Sequence, residues 1–243
     1  MASHNAPARV LLKLSGSAFA AGTGAFDETA LNYIARELAD AHQACPQTAV
    51  MVGGGNVIRG ARFCPGGSGR IAADYAGMLA TVINALVLRD RLERLGVPTT
   101  HYGAFAVPRM VPLFEPSRAA ADLADGRLVL LTGGTGNPLL TTDTAAAIRA
   151  VEVGAVLVLK ATRVNGVYAE DPERNPGAAL YEHLSYRQVI EQRLGVMDLT
   201  AVSFCMEHDL PVRVFNYAVA GNIRRAAAGE RIGTLIGSSE DAR

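Results

Sequence analysis

Lysine is nearly absent from this sequence. Of 23 lysine and arginine residues, only Lys13 and Lys160 are lysines. Net charge is missing too, because 23 basic residues balance 23 acidic ones. A neutral chain offers no electrostatic footprint for nucleic acid or an anionic membrane surface. Cysteine is scarce. Cys45, Cys64 and Cys205 stand far apart, odd in number and without CxxC spacing. That pattern excludes a disulfide framework or thiolate metal site and reads as reduced core thiols. No uninterrupted apolar run reaches the roughly 18 residues of a membrane span. The opening MASHNAPARV lacks the charged start and apolar centre of a secretory signal. A cytoplasmic protein is the expectation. Repeats, linkers and low-complexity blocks are also lacking.

What is present is a 243-residue chain with 49% hydrophobic and 19% charged residues, enough for an α/β fold with a sizeable core. Short apolar runs alternate with longer helical patterns, the mark of βαβ units and a largely parallel sheet. Strands are predicted at 10–14, 48–52, 99–104, 128–132, 156–159, 212–215 and 234–236. Helices are predicted at 27–42, 71–95, 117–124, 142–153, 186–191, 198–207 and 222–228. Asp27 reads as an N-cap, and Gly96 and Gly154 as helix stops.

In open α/β sheets ligands bind beyond the C-terminal strand ends. The informative segments fall there: KLSG, GGGNVIRG, TGGTGNPLLTTD and KATRVNGVY. Gly-rich loops let backbone N–H groups approach phosphate oxygens. Two familiar phosphate motifs nevertheless fail. The P-loop needs a Gly-Lys pair, and none occurs. GGGNVI follows a strand, with Asp74 at the distance of a dinucleotide fingerprint, but Ile58 occupies the third glycine position.

The lysines then acquire a reading. A phosphoryl group in transfer spreads negative charge over its equatorial oxygens, and catalysis is mostly positioning and electrostatic stabilisation. Lys13 and Lys160, each at the end of an apolar strand, would flank that group; a guanidinium is a different tool. The alternative is a snorkelling lysine at each strand terminus. Asp198 is a candidate to hold the lysines or engage Mg²⁺, or else a plain helix N-cap. Asp143 has the same N-cap alternative. Arg59 could grip a phosphate bidentately, and Asp74 could accept from a ribose; both also suit ordinary surface positions. The five histidines show no ligand spacing.

Seven stretches, KLSG, VGGGNVIRG, ADYAGMLATVINAL, GTGNPLLTTDTAA, LKATRVNGVYAEDP, VMDLTA and GTLIG, resemble the bacterial uridylate (UMP) kinase family of the amino-acid kinase superfamily. The likeness runs in order along nearly the whole chain. It implies a three-layer αβα sandwich around a largely parallel sheet. One domain would span 1–243, its N-terminal part mainly for the acceptor and its C-terminal part mainly for ATP. The implied reaction is ATP + UMP → ADP + UDP with Mg²⁺, in a hexamer activated by GTP and inhibited by UTP. By the same resemblance Lys13, Lys160 and Asp198 would be catalytic. Lys13, Leu14, Ser15, Gly16, Gly55, Arg59, Thr162, Tyr168 and Asp171 would bind ATP. Gly54, Asp74, Thr135, Gly136, Asn137, Pro138, Leu139, Leu140, Thr141 and Thr142 would bind UMP. Any protein ligand to the metal would be Asp143 or Asp198. The chain departs from the family where Ser17 replaces an acid, and where Leu139 and Leu140 replace two phenylalanines. Two other readings stand beside this one: a related phosphotransferase with another monophosphate or small-metabolite acceptor, and a nucleotide-sensing regulator without catalysis.

Overall fold

The computed structural model describes residues 7–20, 24–58, 69–170, 175 and 177–238. Arg59, Cys64 and Asp171 lie outside the described residues. Among those described, eight strands form one sheet: β1 (Val10–Leu14), β2 (Thr48–Val52), β3 (Thr99–Gly103), β4 (Leu128–Thr132), β5 (Leu157–Thr162), β6 (His183–Ser185), β7 (Val212–Asn216) and β8 (Thr234–Gly237). Their order is β3-β4-β2-β1-β5-β7-β8-β6, parallel throughout except where β7 meets β8. Seven α-helices accompany it: α1 (Glu28–Ala44), α2 (Arg70–Arg94), α3 (Pro116–Ala124), α4 (Thr142–Val153), α5 (Tyr186–Glu191), α6 (Leu199–Glu207) and α7 (Asn222–Ala227).

Parallel strands covered on both faces need apolar residues at every position, not every second one. TAVMV of β2 and LVLLT of β4 meet that demand, each buried at all five positions. Alternate residues divide between two cores. Val10, Leu12, Val50, Leu130 and Phe215 pack with α1, α2 and α7 on one face. Leu11, Met51, Leu131, Val158 and Val214 pack with α3, α4, α5 and α6 on the other. The result is the expected three-layer α/β architecture. Helix ends follow local chemistry. Asp27 accepts from Ala30 N at 2.8 Å to start α1, and Gly154, at φ 70°, ends α4.

Three expectations need correction. β5 begins one residue later than predicted and ends three later, so Lys160 lies within the strand, paired on both sides. The apolar pattern stops at the lysine, but the backbone ladder continues to Thr162. β6, with three residues, is shorter than any run periodicity can register. Lastly, although no unbroken apolar run is that long, α2 has a window of mean hydropathy 1.7 that by length and composition could cross a membrane. In the fold 44% of that window is buried against the protein.

The first two loops meet backbone to backbone. A Cβ on Gly16 would stand 2.5 Å from Gly55 N, and one on Gly54 2.5 Å from the Gly77 carbonyl oxygen of α2. Asn84 of α2 ties this junction together. Its Nδ2 donates to the Gly53 carbonyl and to Asn56 Oδ1, each at 2.7 Å, and its Oδ1 accepts from Asn56 Nδ2 at 3.0 Å. Asn84→Ala would strand these groups in a fully buried position. The expected loss is about 1–3 kcal/mol, measured by urea unfolding; an unchanged midpoint would remove the junction's structural importance.

Candidate active site

Lys13 and Lys160 are direct neighbours, because β1 and β5 pair in parallel with these two residues in register. Each stands two residues beyond a member of the α4-side core, Leu11 and Val158, so both side chains leave the sheet on that face. Two ammonium groups side by side repel each other. The first turn of α4 brings Asp143 to them. Its Oδ1 lies 2.9 Å from Lys13 Nζ and its Oδ2 2.5 Å from Lys160 Nζ. The Lys160 contact is a directed hydrogen bond. The Lys13 contact pairs charge off the hydrogen-bonding line and leaves Oδ1 without a conventional donor. All three side chains are nearly enclosed, at 14% exposure for Lys13, 14% for Asp143 and 10% for Lys160.

Enclosure and charge oppose each other here. Burial pushes the Asp143 carboxyl up, but Lys13 and Lys160 outweigh it and hold the group below its ordinary 3.8. Burial lowers Lys160 from its ordinary 10.5, Lys13 lowers it further, and Asp143 offsets only part. The site thus carries two cations and one anion at the start of a helix, whose dipole also favours negative charge.

The sequence reading assigned the organising carboxylate to Asp198; the contact geometry gives that position to Asp143. Asp198 caps α6, accepting from Ala201 N at 3.0 Å. It also accepts from Thr144 Oγ1 at 3.0 Å and from Thr141 Oγ1. Thr141 is itself the N-cap of α4. Asp198 therefore anchors the helix that presents Asp143, and its charge still reaches Lys160. Behind them burial, then Asp143 and Asp198, push the Cys205 thiol up to about 12, leaving it inert.

Two cavities flank the lysines along the sheet. One, of about 240 Å³, opens between the loops after β2 and β4 and the start of α2. It gathers Gly54, Asp74, Leu140, Thr141 and Thr142 as expected of an acceptor side, together with Gly55, expected on the ATP side. The residues at 135–139 do not line it. Thr135 Oγ1 instead closes the loop on itself through Asn137, and Gly136 holds φ 83°. Leu139 adopts φ 71°, a strained choice for leucine, with its N–H donating to Asp74 Oδ2 at 2.9 Å. Asp74 also pairs with Arg70 at 2.8 Å. Gly134, from the glycine-rich loop after β4, joins this cavity, as do Arg70, Met78 and Thr81, which had not been given a role. Helical spacing from Asp74 could have found Met78 and Thr81.

The second cavity, of about 570 Å³, lies beyond β5 and β7 and includes Thr162 and Tyr168 as expected of an ATP side. Val196, the first residue of VMDLTA, completes it together with Arg193 and Leu194, which no motif announces. Ser15 and Gly16 follow Lys13 at the β1 end, where Ser15 caps a short 3₁₀ turn. The Leu14 side chain is fully buried, and its carbonyl accepts from Gly53 N at 2.8 Å.

Comparison with known proteins decides the family. The amino acid kinase family model matches residues 8–216. A uridylate kinase of Legionella pneumophila (strain Lens) is 42% identical over 235 residues, spanning 96% of this chain and 95% of its own. This chain belongs to the amino acid kinase family, in its uridylate kinase group. The UMP kinase structure of Bacillus anthracis superposes with a TM-score of 0.93 at 34% identity, covering 96% of this chain and 97% of the other. That of Ureaplasma parvum gives 0.88 at 30% identity, covering 96% and 99%. This kinase's two lysines make a direct test possible. Lysine-selective ¹³Cε labelling yields one resonance from each, assigned with Lys160→Arg. The Lys160 signal should titrate below 10.5, and lower still in Asp143→Asn, which loses the carboxylate that raises it. A titration at or above the ordinary lysine value would refute this electrostatic account.

Proposed function

We propose that this kinase transfers the γ-phosphoryl group of ATP to UMP, giving ADP and UDP. The observation that carries the reading is the placement of Lys13 and Lys160 on one carboxylate, between a cavity on the β2 and β4 side and a larger one on the β5 and β7 side. A phosphoryl donor in the larger cavity and an acceptor in the smaller would meet at the ammonium pair. Lys13 and Lys160 stabilise the charge on the migrating group, and Asp143 keeps them parallel and charged. Asp198 positions Asp143 from behind. Asp74 meets the acceptor's sugar, and Thr141 and Thr142 its phosphate. Thr162 and Tyr168 hold the donor's nucleoside, with Arg59 and Asp171 as further ATP contacts.

Magnesium enters with ATP as part of the substrate. No cluster of three or more His, Cys, Asp or Glu suited to a metal occurs among the described residues. Asp143 is committed to the lysines and Asp198 to its threonines. An ion held mainly by nucleotide phosphates and water suits that donor set.

The assembly we propose is a homo-hexamer in the cytoplasm, subject to GTP activation and UTP inhibition. Its support is the outer face of α2, where Ile71, Tyr75, Leu79 and Ile83 recur at helical spacing and stand 45–55% exposed. Such a stripe suits a second copy of the helix. Light scattering should give a multiple of 25.5 kDa, and a monomer would count against the hexamer.

Lys13→Ala and Lys160→Ala should each lower kcat about a hundredfold or more while circular dichroism stays native. Near-normal turnover in both would end the mechanism. An ADP-release panel of UMP, CMP, dUMP and carboxylate acceptors tests the substrate. UMP should lead clearly even with Leu139 and Leu140 in place of phenylalanines; a carboxylate leading would favour a related phosphotransferase instead. ATP and UMP binding without any ADP would favour the regulatory reading.

A further inference from the structure

Beyond β7, on the side of the sheet remote from β1, lies a cavity of about 360 Å³ that the transfer reaction does not use. Strand register explains its composition. Arg213 of β7 pairs with Leu235 of β8, which pairs with His183 of β6. Residues in such a row project to one face. Here that face is the α1 and α7 side, where Leu235 and Phe215 pack. Arg231 reaches the same cavity from the turn before β8.

The chemistry of this row is incomplete. Arg213 is 8% exposed. Its Nη1 donates to the Ile232 carbonyl at 3.0 Å, yet its Nε is buried with no acceptor. His183 Nε2 is likewise buried and unpartnered. No carboxylate comes within ion-pair distance of Arg213 among the described residues. Burial lowers the affinity of Arg213 for its proton, and the neighbouring Arg231 charge acts in the same direction. Glu182, the acid in the wall, is exposed. A buried guanidinium with an open donor and no counter-charge is costly unless an anion completes it.

We propose that this cavity binds a phosphate group, through Arg213 from inside, Arg231 at the rim, and His183 in the tautomer protonated at Nε2. A tetrahedral phosphate can accept from donors arriving on separate strands and a turn, whereas a planar carboxylate suits a single fork. The volume admits a diphosphate or the phosphate end of a nucleotide. The site is not isolated from the donor side. Gly233 in its wall would place a Cβ 2.0 Å from the Val214 carbonyl, and Val214 both lines the larger cavity and pairs with Lys160.

Calorimetric titration of the full chain with inorganic pyrophosphate tests the proposal independently of turnover. The wild type should show two classes of site. Arg231→Met, a change at an exposed position, should weaken one class about tenfold or more. Arg213→Met should do the same, with Arg213→Lys as the variant that keeps the charge if the first fails to fold. Lys160→Ala should weaken only the other class. Parallel titrations with inorganic phosphate and with ATP identify the source of the group, since the ligand most weakened by Arg231→Met is the one the site prefers. If Arg231→Met and the folded Arg213 variant bind all three ligands as the wild type does, the site does not exist.

Discussion

Everything in this molecule turns on one carboxylate shared by two ammonium groups. Parallel pairing of β1 and β5 places Lys13 beside Lys160, an arrangement that repels by itself. Asp143 makes it tolerable, and burial makes it strong, since charges interact more in a site with little water. Three charges from two strands and a helix are thereby locked to one another. None of these elements could slip by a residue without leaving a charge buried and alone. The arrangement keeps one positive charge in excess, which suits a site meant to receive phosphate.

Sheet order converts this charged centre into a place between two compartments. Going outward from β1 the chain places β2 and β4 on one side, and β5 and β7 on the other. Loops from the first pair enclose the smaller cavity, and those from the second the larger. Close approach of the Gly16 and Gly55 backbones ties the loop after β1 to the loop after β2. Asp74 adds a point of tension, because its carboxylate is occupied by the strained Leu139 and by Arg70. A ligand that takes this carboxylate must displace contacts already made.

Much of this was legible in the sequence. Buried parallel strands announce themselves through unbroken Val and Leu, so the limits of β1, β2 and β4 followed directly. The rarity of lysine singled out Lys13 and Lys160, which the fold brings together on Asp143. The two carboxylates were not separable in the same way. Asp143 and Asp198 both sit at helix beginnings after threonine- or methionine-containing turns, and nothing in one dimension says which faces the lysines. Gly55 was assigned to the ATP side yet lines the smaller cavity, because both compartments open at the same strand edge. The row of Arg213, Leu235 and His183 depends on an antiparallel pairing and on a three-residue strand, neither of which leaves a periodic trace.

The burial of both lysines has a practical corollary. Acylating reagents, amine-coupling resins and lysine cross-linkers find no well-exposed ε-amine, because Lys13 and Lys160 are 14% and 10% exposed. Reagents that do attach through these residues will do so at the Asp143 ion pairs. Handles for labelling belong on other residue types.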